Sequence, residues 1–467
     1  MWELFPPRIR LMGRPQLAAS EAQQLSEDFE KFRDGLVHPI EPYIRSTYDL
    51  DLTSAYGGLE IKNPFGKASG QLSLARHQVE KDAQGGLGFV VLKTVIAQDQ
   101  TGAQMMREWA IPETRMLVER IRGRDGQEGW TVTWKGRGWY ESFEAYLRLL
   151  REALQTAKAA RMVIAPSVKY HLPTPAEDFW KEEEYVYTTA ALVETWQEAH
   201  GDSPMPLEKD FSPTLAGSGR AAQQAKILEW LHRVPGLIHR AAPGKVWVGL
   251  KDFNTLFSDE FQVQMLREIE AAPRGEGRAD FLVYANRLFD PAKEFEGKVG
   301  VAYGGPDLSD RNLAVLERYL SSVAQGPLVG PAVFPAPRAG ERAGTVAGPE
   351  GGSCATPSDR RMPAQPLPLS ATGDIHSGRI AAEYLLRGAS SFQMHTVFQL
   401  PDGEFAMRTG GKTEKVLHRL LFHPQEGFVA WLIDLRRCFG WGSGMNVEQM
   451  AAWCREHWRQ IMDSLNP

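Results

Sequence analysis

The chain has 467 residues, 43% of them hydrophobic, so it can bury a large core as two or three domains or as one elaborated domain. Its 53 Lys and Arg nearly balance its 58 Asp and Glu, and the net charge of −5 argues against nucleic acid as a partner. No apolar run reaches the roughly 18 residues of a membrane span, and the chain does not begin with an apolar signal region. We therefore expect a cytoplasmic protein without a transmembrane segment.

Three widely spaced cysteines, Cys354, Cys438 and Cys454, form no CxxC pair. This spacing excludes an iron–sulfur cluster or structural zinc site built by this chain alone, and we expect no metal.

Residues 1–47 are predicted to be an N-terminal extension. Within it, residues 21–37 carry Leu25, Phe29 and Phe32 on one face, which predicts an amphipathic helix. This helix either packs against the rest of the chain or faces a membrane surface.

From residue 52 onwards, short apolar runs alternate with helical patterns, as in a parallel α/β fold. Helices are predicted at 142–160, 183–198 and 221–240. Eight strands are predicted: the run 52–61 leading into 63–70, then 89–94, 162–167, 207–211, 245–251, 280–285, 367–371 and 391–397.

Three segments interrupt or follow this alternation. Residues 109–140 are rich in tryptophan and are predicted to cross over the mouth of the sheet. Residues 326–365, rich in Pro, Gly and Ala, are predicted to be a flexible insertion. The helical patterns at 415–438 and 447–465 are predicted to form a C-terminal cap over residues 411–467, which leaves residues 48–410 as the main domain.

The last two predicted strands end in Thr372-Gly373-Asp374 and in His395-Thr396. In a β/α barrel, such loops together with a helix N-terminus commonly bind phosphate. The alternative is an ordinary strand–helix–strand unit of any α/β protein.

Five motifs in order carry a family resemblance. They are NPFGKASG (63–70), GGLGFVVLKTV (85–95), VAYGGPDLS (301–309), SATGDIHSG (370–378) and SFQMHTVF (391–398). Together they resemble dihydroorotate dehydrogenase and the related domain of dihydropyrimidine dehydrogenase, over roughly residues 52–408. The resemblance implies an α/β protein with a (β/α)8 TIM barrel that binds FMN, here with an N-terminal extension, long loop insertions and C-terminal helices. Members of this family often form homodimers.

The resemblance also implies roles for particular residues. Lys93 would lie between flavin and substrate, and Lys251 would stabilise the reduced ring; the alternative for either lysine is a salt bridge to a loop carboxylate. Asn286 would contact both cofactor and substrate, and Asn254 the substrate. The remaining cofactor residues would line the ring edge (Ala68, Ser69) or hold the phosphate (Gly304, Gly305, Gly373, Asp374, Ile375, His395, Thr396).

The chain departs from the family pattern at several of these positions. The family usually has glycine at Asp374 and His395, and a small residue at Arg287. The Asp374 carboxylate would repel a phosphate unless it turns away or caps the following helix, and His395 either donates to the phosphate or fills space. Ser212 is the hydroxyl that matches the family's catalytic base, or else a turn-forming serine before proline.

These departures make orotate doubtful as the ligand. The expected activity is flavin-dependent hydride transfer at a C–C bond of a small pyrimidine-like or other cyclic amide. The alternatives are an FMN reductase with an unrelated substrate, in which Ser212 has no role, and a barrel without catalysis that serves as a binding module.

Overall fold

The protein is described by a computed structural model covering residues 11, 13–112, 115–134, 138–211, 220–272, 277–295, 298–324 and 366–465. The predicted insertion at 326–365 lies outside the described residues.

The strands are β1 (Ser54–Tyr56), β2 (Leu59–Ile61), β3 (Phe65–Lys67), β4 (Phe89–Val91), β5 (Val95–Ile96), β6 (Met116–Arg122), β7 (Glu128–Trp134), β8 (Val163–Ala165), β9 (Ser167–Lys169), β10 (Met205–Asp210), β11 (Val246–Phe253), β12 (Phe281–Asn286), β13 (Leu288–Phe295), β14 (Lys298–Tyr303), β15 (Leu369–Thr372) and β16 (Ala389–Met394).

The helices are α1 (Ala19–Lys31), α2 (Ile40–Tyr48), α3 (Arg76–Gly85), α4 (Phe143–Ala160), α5 (Glu182–His200), α6 (Arg220–Ala241), α7 (Asp259–Ala271), α8 (Pro306–Ala324), α9 (Gly378–Leu386), α10 (Lys412–Phe422), α11 (Phe428–Phe439), α12 (Val447–Glu456) and α13 (Trp458–Leu465). Short 3-10 helices form at Phe32–Asp34, Arg107–Trp109, Thr396–Gln399 and Asp402–Glu404.

Ten of the strands form one parallel sheet, and their pairing closes it into a barrel. The second barrel position is split into β4 and β5, and the third into β8 and β9, with β4 pairing with β8 and β5 with β9. From β9 the pairing continues through β10, β11, β12, β15 and β16. β16 pairs with β3 and β3 with β4, which completes eight positions. The predicted (β/α)8 fold is confirmed.

The bottom of the barrel is closed by the antiparallel hairpin of β1 and β2. Tyr56 stacks on Phe89 with ring centroids 4.3 Å apart and meets Phe281 edge-on. The turn requires glycine, because Gly58 has φ +77° and a Cβ there would lie 2.4 Å from the Trp247 ring. The opposite, carboxyl-terminal end of the strands is therefore the end available for a site.

Helices surround the barrel, and the C-terminal helices add a further layer. α11 and α12 pack on α9, and α10 packs on α3. The N-terminal α1 packs on α10, where Phe29 stacks on His418 and Phe32 contacts Phe422. Within the described ranges, no helix combines the length and apolar character needed to cross a bilayer.

Several elements differ from the sequence prediction. The helix predicted at 447–465 is two helices, α12 and α13, and the helix predicted at 21–37 ends at Lys31 and is followed by a 3-10 turn. The helix predicted at 415–438 is wrong as a single element, because α10 ends at Phe422 and α11 begins at Phe428. Pro424 lies in the break, and a Cβ on Gly427 would lie 2.5 Å from the His423 carbonyl oxygen. The antiparallel hairpin of β13 and β14 was not predicted at all.

Candidate active site

One cleft at the carboxyl-terminal end of the barrel brings together eleven of the twelve residues expected around a flavin. Its free volume is about 90 Å³. Lys93 and Asn254 do not line it. The eleven residues come from the ends of β3, β11, β12, β14, β15 and β16 or follow them: Ala68, Ser69, Lys251, Asn286, Gly304, Gly305, Gly373, Asp374, Ile375, His395 and Thr396.

The ends of β15 and β16 lie side by side, as the pairing of Thr372 with Gln393 requires. Gly373 has φ +120°, and its carbonyl accepts a hydrogen bond from the Tyr384 hydroxyl at 3.0 Å. The Asn312 amide donates to the Thr372 carbonyl at 2.8 Å. These two bonds fix the backbone at Thr372 and Gly373, which line the cleft together with Thr396.

Asp374 does not cap the following helix. The N-cap of α9 is Ser377, whose hydroxyl accepts a hydrogen bond from the Ile380 amide at 3.3 Å. The Asp374 carboxylate instead lies 3.3 Å from His376 Nδ1. Burial disfavours the His376 imidazolium, yet the Asp374 carboxylate raises the pKa of His376 overall. The same Nδ1 is 2.9 Å from the Asp374 carbonyl oxygen. The carboxylate that would face a phosphate therefore stabilises the protonated form of a neighbouring imidazole.

Gly304 and Gly305 lie beneath the hairpin of β6 and β7, which belongs to the tryptophan-rich segment. The Gly304 amide donates to the Thr131 hydroxyl at 3.0 Å. A Cβ on Gly305 would lie 2.7 Å from Ile121 Cγ2. The hairpin thus covers this side of the cleft and already uses the Gly304 amide.

His395 narrows the cleft from the β16 side. A Cβ on Gly70 would lie 2.4 Å from His395 Nε2, so the imidazole packs directly on that glycine. Burial, with Arg287 and Lys67 nearby, lowers the pKa of His395 to about 3. The side chain is therefore neutral at physiological pH.

Lys251 is part of a buried network inside the barrel. Its ammonium group is 3.0 Å from Glu208 Oε1 and 3.2 Å from Gln393 Oε1. Glu208 is fully buried and also accepts hydrogen bonds from Gln393 at 2.7 Å and from the Tyr56 hydroxyl at 3.0 Å. Sequence reasoning missed Glu208, although β10 carries three consecutive charged residues, Glu208, Lys209 and Asp210, and charged residues in a buried strand are a recognisable signal.

Lys93 follows β4 in the gap that splits the second barrel position. It is 5% exposed, and its Nζ lies 3.5 Å from Gln71 Oε1. The pKa of Lys93 is lowered to about 7, mainly by burial. The Asp210 carboxylate favours the charged ammonium, whereas Lys169 and other nearby cations disfavour it. An amine that titrates near neutrality can accept or donate a proton.

A second missed group, Lys169 at the end of β9, lies next to Lys93. Its ammonium is 3.6 Å from Asp210 Oδ2 and 4.3 Å from the centroid of the Trp109 ring. Burial opposes ionisation of Asp210, but the surrounding lysines, Lys169 first, hold its pKa below the usual range. The tryptophan-rich segment therefore reaches the mouth of the barrel through a cation–π contact.

The two asparagines differ in their surroundings. The Asn254 amide donates to the Asn286 carbonyl and to Asn312 Oδ1, both at 3.0 Å, and so ties β11 to β12 and α8. Asn286 lines the cleft, and its side-chain oxygen accepts from the Arg287 amide at 3.2 Å. Asn286 is therefore the better placed of the two to contact a ligand.

Ser212 lies outside the described residues. In the described part of the chain, His, Cys, Asp and Glu side chains form no group of three or more that could hold a metal ion.

No protein-family model matches the sequence, and no curated protein does. Among solved structures, a crystal structure of DHODH from Eimeria tenella in complex with ferulenol is similar. It has 12% sequence identity and a TM-score of 0.48, covering 94% of this chain and 96% of that chain. The pairing of the strands by itself closes the barrel.

Proposed function

We propose that the protein is an FMN-dependent oxidoreductase of the dihydroorotate dehydrogenase type. It would transfer hydride between the flavin and a C–C bond of a small cyclic amide. The observation that carries the proposal is the cleft itself, because residues from position 68 to position 396 that the family motifs assign to the flavin line a single space.

The residues that line the cleft suit FMN in kind, apart from His395. Ala68 and Ser69 are small enough for a flat ring to approach the backbone of β3. Lys251 and Arg287 supply positive charge in the cleft, where a phosphate or a reduced flavin carries negative charge. The Asp374 carboxylate lies beside His376, whose protonated form would offset its charge. FMN, when bound, would supply the hydride acceptor.

The protein's own groups would orient the reactants and move the proton. Glu208 and Gln393 fix the Lys251 ammonium at the cleft wall. Lys93, with its pKa of about 7, is the described group best suited to take a proton from the substrate. The Trp109 ring and the Lys169 ammonium would form the substrate side of the mouth.

A second function, a barrel that binds no flavin and serves as a binding module, is favoured by the volume of the cleft. About 90 Å³ is well below the roughly 300–1,000 Å³ of small-molecule pockets. His395, where the family usually has glycine, narrows the space, so FMN requires this imidazole to rotate away from Gly70.

The proposed activity is tested by mixing the purified protein anaerobically with dihydroorotate and with dihydrouracil, with FMN added. We expect the flavin absorbance to bleach with at least one of these reduced cyclic amides. The assigned reaction class would be contradicted if dithionite reduced the protein-bound flavin but neither dihydroorotate nor dihydrouracil did.

A further inference from the structure

Arg287 is a cleft residue that the family resemblance does not assign. It follows the end of β12 and is partly buried. Its Nη1 donates to the Ala302 carbonyl at 3.1 Å, and its Nη2 donates to the Val132 carbonyl. Ala302 belongs to β14 and Val132 to β7, so two separate hairpins hold the guanidinium in one orientation.

Among the described residues that line the cleft, two are cations, Arg287 and Lys251, and Lys251 is already paired with the buried Glu208. Asp374 is the carboxylate there. Lys93 lies close enough for Arg287 to affect its pKa. A cleft with walls of low dielectric focuses the potential of such cations and concentrates anions.

A charged guanidinium at this position has an energetic cost. Burial lowers the pKa of Arg287 to about 9, so the group remains charged at neutral pH. Removing a cation from water disfavours folding, and the hydrogen bonds to the Ala302 and Val132 carbonyls offset part of that cost.

We propose that Arg287 recognises an acidic group of the ligand bound in the cleft and thereby selects anionic over neutral ligands. The planar guanidinium matches a phosphate or a carboxylate through two parallel hydrogen bonds. The anion is either the phosphate of a flavin mononucleotide or an acid substituent on the substrate. The inference rests on the proposed function for the choice of both pairs of probe ligands.

The test compares two pairs of ligands that differ by one acidic group. The first pair is FMN and riboflavin, and the second is orotate and uracil. Dissociation constants are measured by fluorescence quenching or calorimetry for the wild type and for Arg287→Gln. We expect the variant to weaken binding of the acidic member of one pair by about 10- to 100-fold. The neutral member should change by less than about twofold, since its contacts do not include this charge.

The pair that responds identifies the source of the anion. A change in the flavin pair assigns Arg287 to the cofactor phosphate, and a change in the pyrimidine pair assigns it to a substrate acid. If FMN does not bind but orotate responds, the proposed function fails and the role of Arg287 stands. If neither pair distinguishes the variant from the wild type, the role of Arg287 is overturned.

Two further variants keep the comparison interpretable. Arg287→Lys retains the charge but loses the planar pair of N–H donors, so its preference for the acidic member of a pair should be intermediate. Arg122→Gln removes an exposed arginine from the hairpin of β6 and β7, where its partner is Glu128 at 3.1 Å. It should leave the dissociation constants of both ligand pairs unchanged. If Arg287→Gln is unstable, Arg287→Lys, with its folding checked by circular dichroism, takes its place in the comparison.

Discussion

Lys93 and Lys251 look equivalent in the sequence, since each ends an apolar strand run, but their surroundings differ. Lys251 lies 3.0 Å from the buried Glu208, an ion pair formed across 43 positions of sequence. For Lys251, the salt-bridge alternative therefore describes the contact, although the carboxylate lies inside the barrel and not on a loop. Lys93 instead lies among several cations, which with burial bring its pKa to about 7.

The Lys93 pKa predicts how flavin reduction depends on pH. Removal of a substrate proton needs the neutral amine, so the rate should rise through about pH 7 and level off above it. Rapid-mixing measurements of flavin reduction from pH 5.5 to 9, roughly two units on each side of this pKa, would record this rising limb of the pH–rate profile.

Two variants separate Lys93 from the alternative base. Lys93→Arg keeps a cation that stays protonated over this range, so it should lose the limb and slow the reaction by roughly 100-fold or more. Ser212→Ala should keep the limb. A limb that survives in Lys93→Arg and disappears in Ser212→Ala would instead identify Ser212 as the base.

At the scale of elements, the hairpin of β6 and β7 connects the tryptophan-rich segment to the cleft. It covers Gly305 with Ile121 and accepts hydrogen bonds from Gly304 and Arg287. The sequence indicated a segment over the mouth, but alternating polar and apolar residues over seven positions did not reveal where the hairpin docks, because docking depends on contacts with β14 and α8.

Thr131 gives a test of this docking. Thr131→Val keeps the shape of the side chain but leaves the Gly304 amide without its acceptor. A single neutral hydrogen bond contributes roughly 0.5–1.5 kcal/mol, so exchange of the Gly304 amide should accelerate by about 2- to 10-fold in hydrogen–deuterium exchange. Thr133→Val on the same strand serves as the control. Equal exchange at Gly304 in both variants and the wild type would contradict the contact.

The elements that the sequence predicted best are those with a strong local pattern. The strand predicted at 89–94 begins with four apolar residues and contains β4. The helical periodicity at 142–160 matches α4, which begins after the Ser142 cap. The hairpin at 288–303 was missed because it includes Pro291 and several charged residues, which weaken a strand pattern. The glycine pair at 57–58 is the turn of the hairpin that closes the barrel bottom.

At the scale of the whole molecule, closure of eight strand positions is what gathers distant residues into one cleft. The family motifs predicted eleven residues that line one cleft, because strand ends converge at one face of a barrel, but Lys93 and Asn254 do not line it. The free volume of the cleft could not be predicted, since it depends on how His395 packs against Gly70 and on how the hairpins hold Arg287. The fold is therefore better specified by the sequence than the ligand is.

Flavin binding in this cleft decides whether the protein is an oxidoreductase of the proposed type. The direct measurement is titration of the purified protein, stripped of bound small molecules, with FMN while flavin fluorescence and absorbance are recorded. We predict saturation at one FMN per chain with a dissociation constant in the micromolar range or below, about −8 kcal/mol or stronger. A protein that is folded by circular dichroism but leaves the FMN spectrum unchanged at roughly millimolar concentration, about −4 kcal/mol, would contradict the account and favour the binding module.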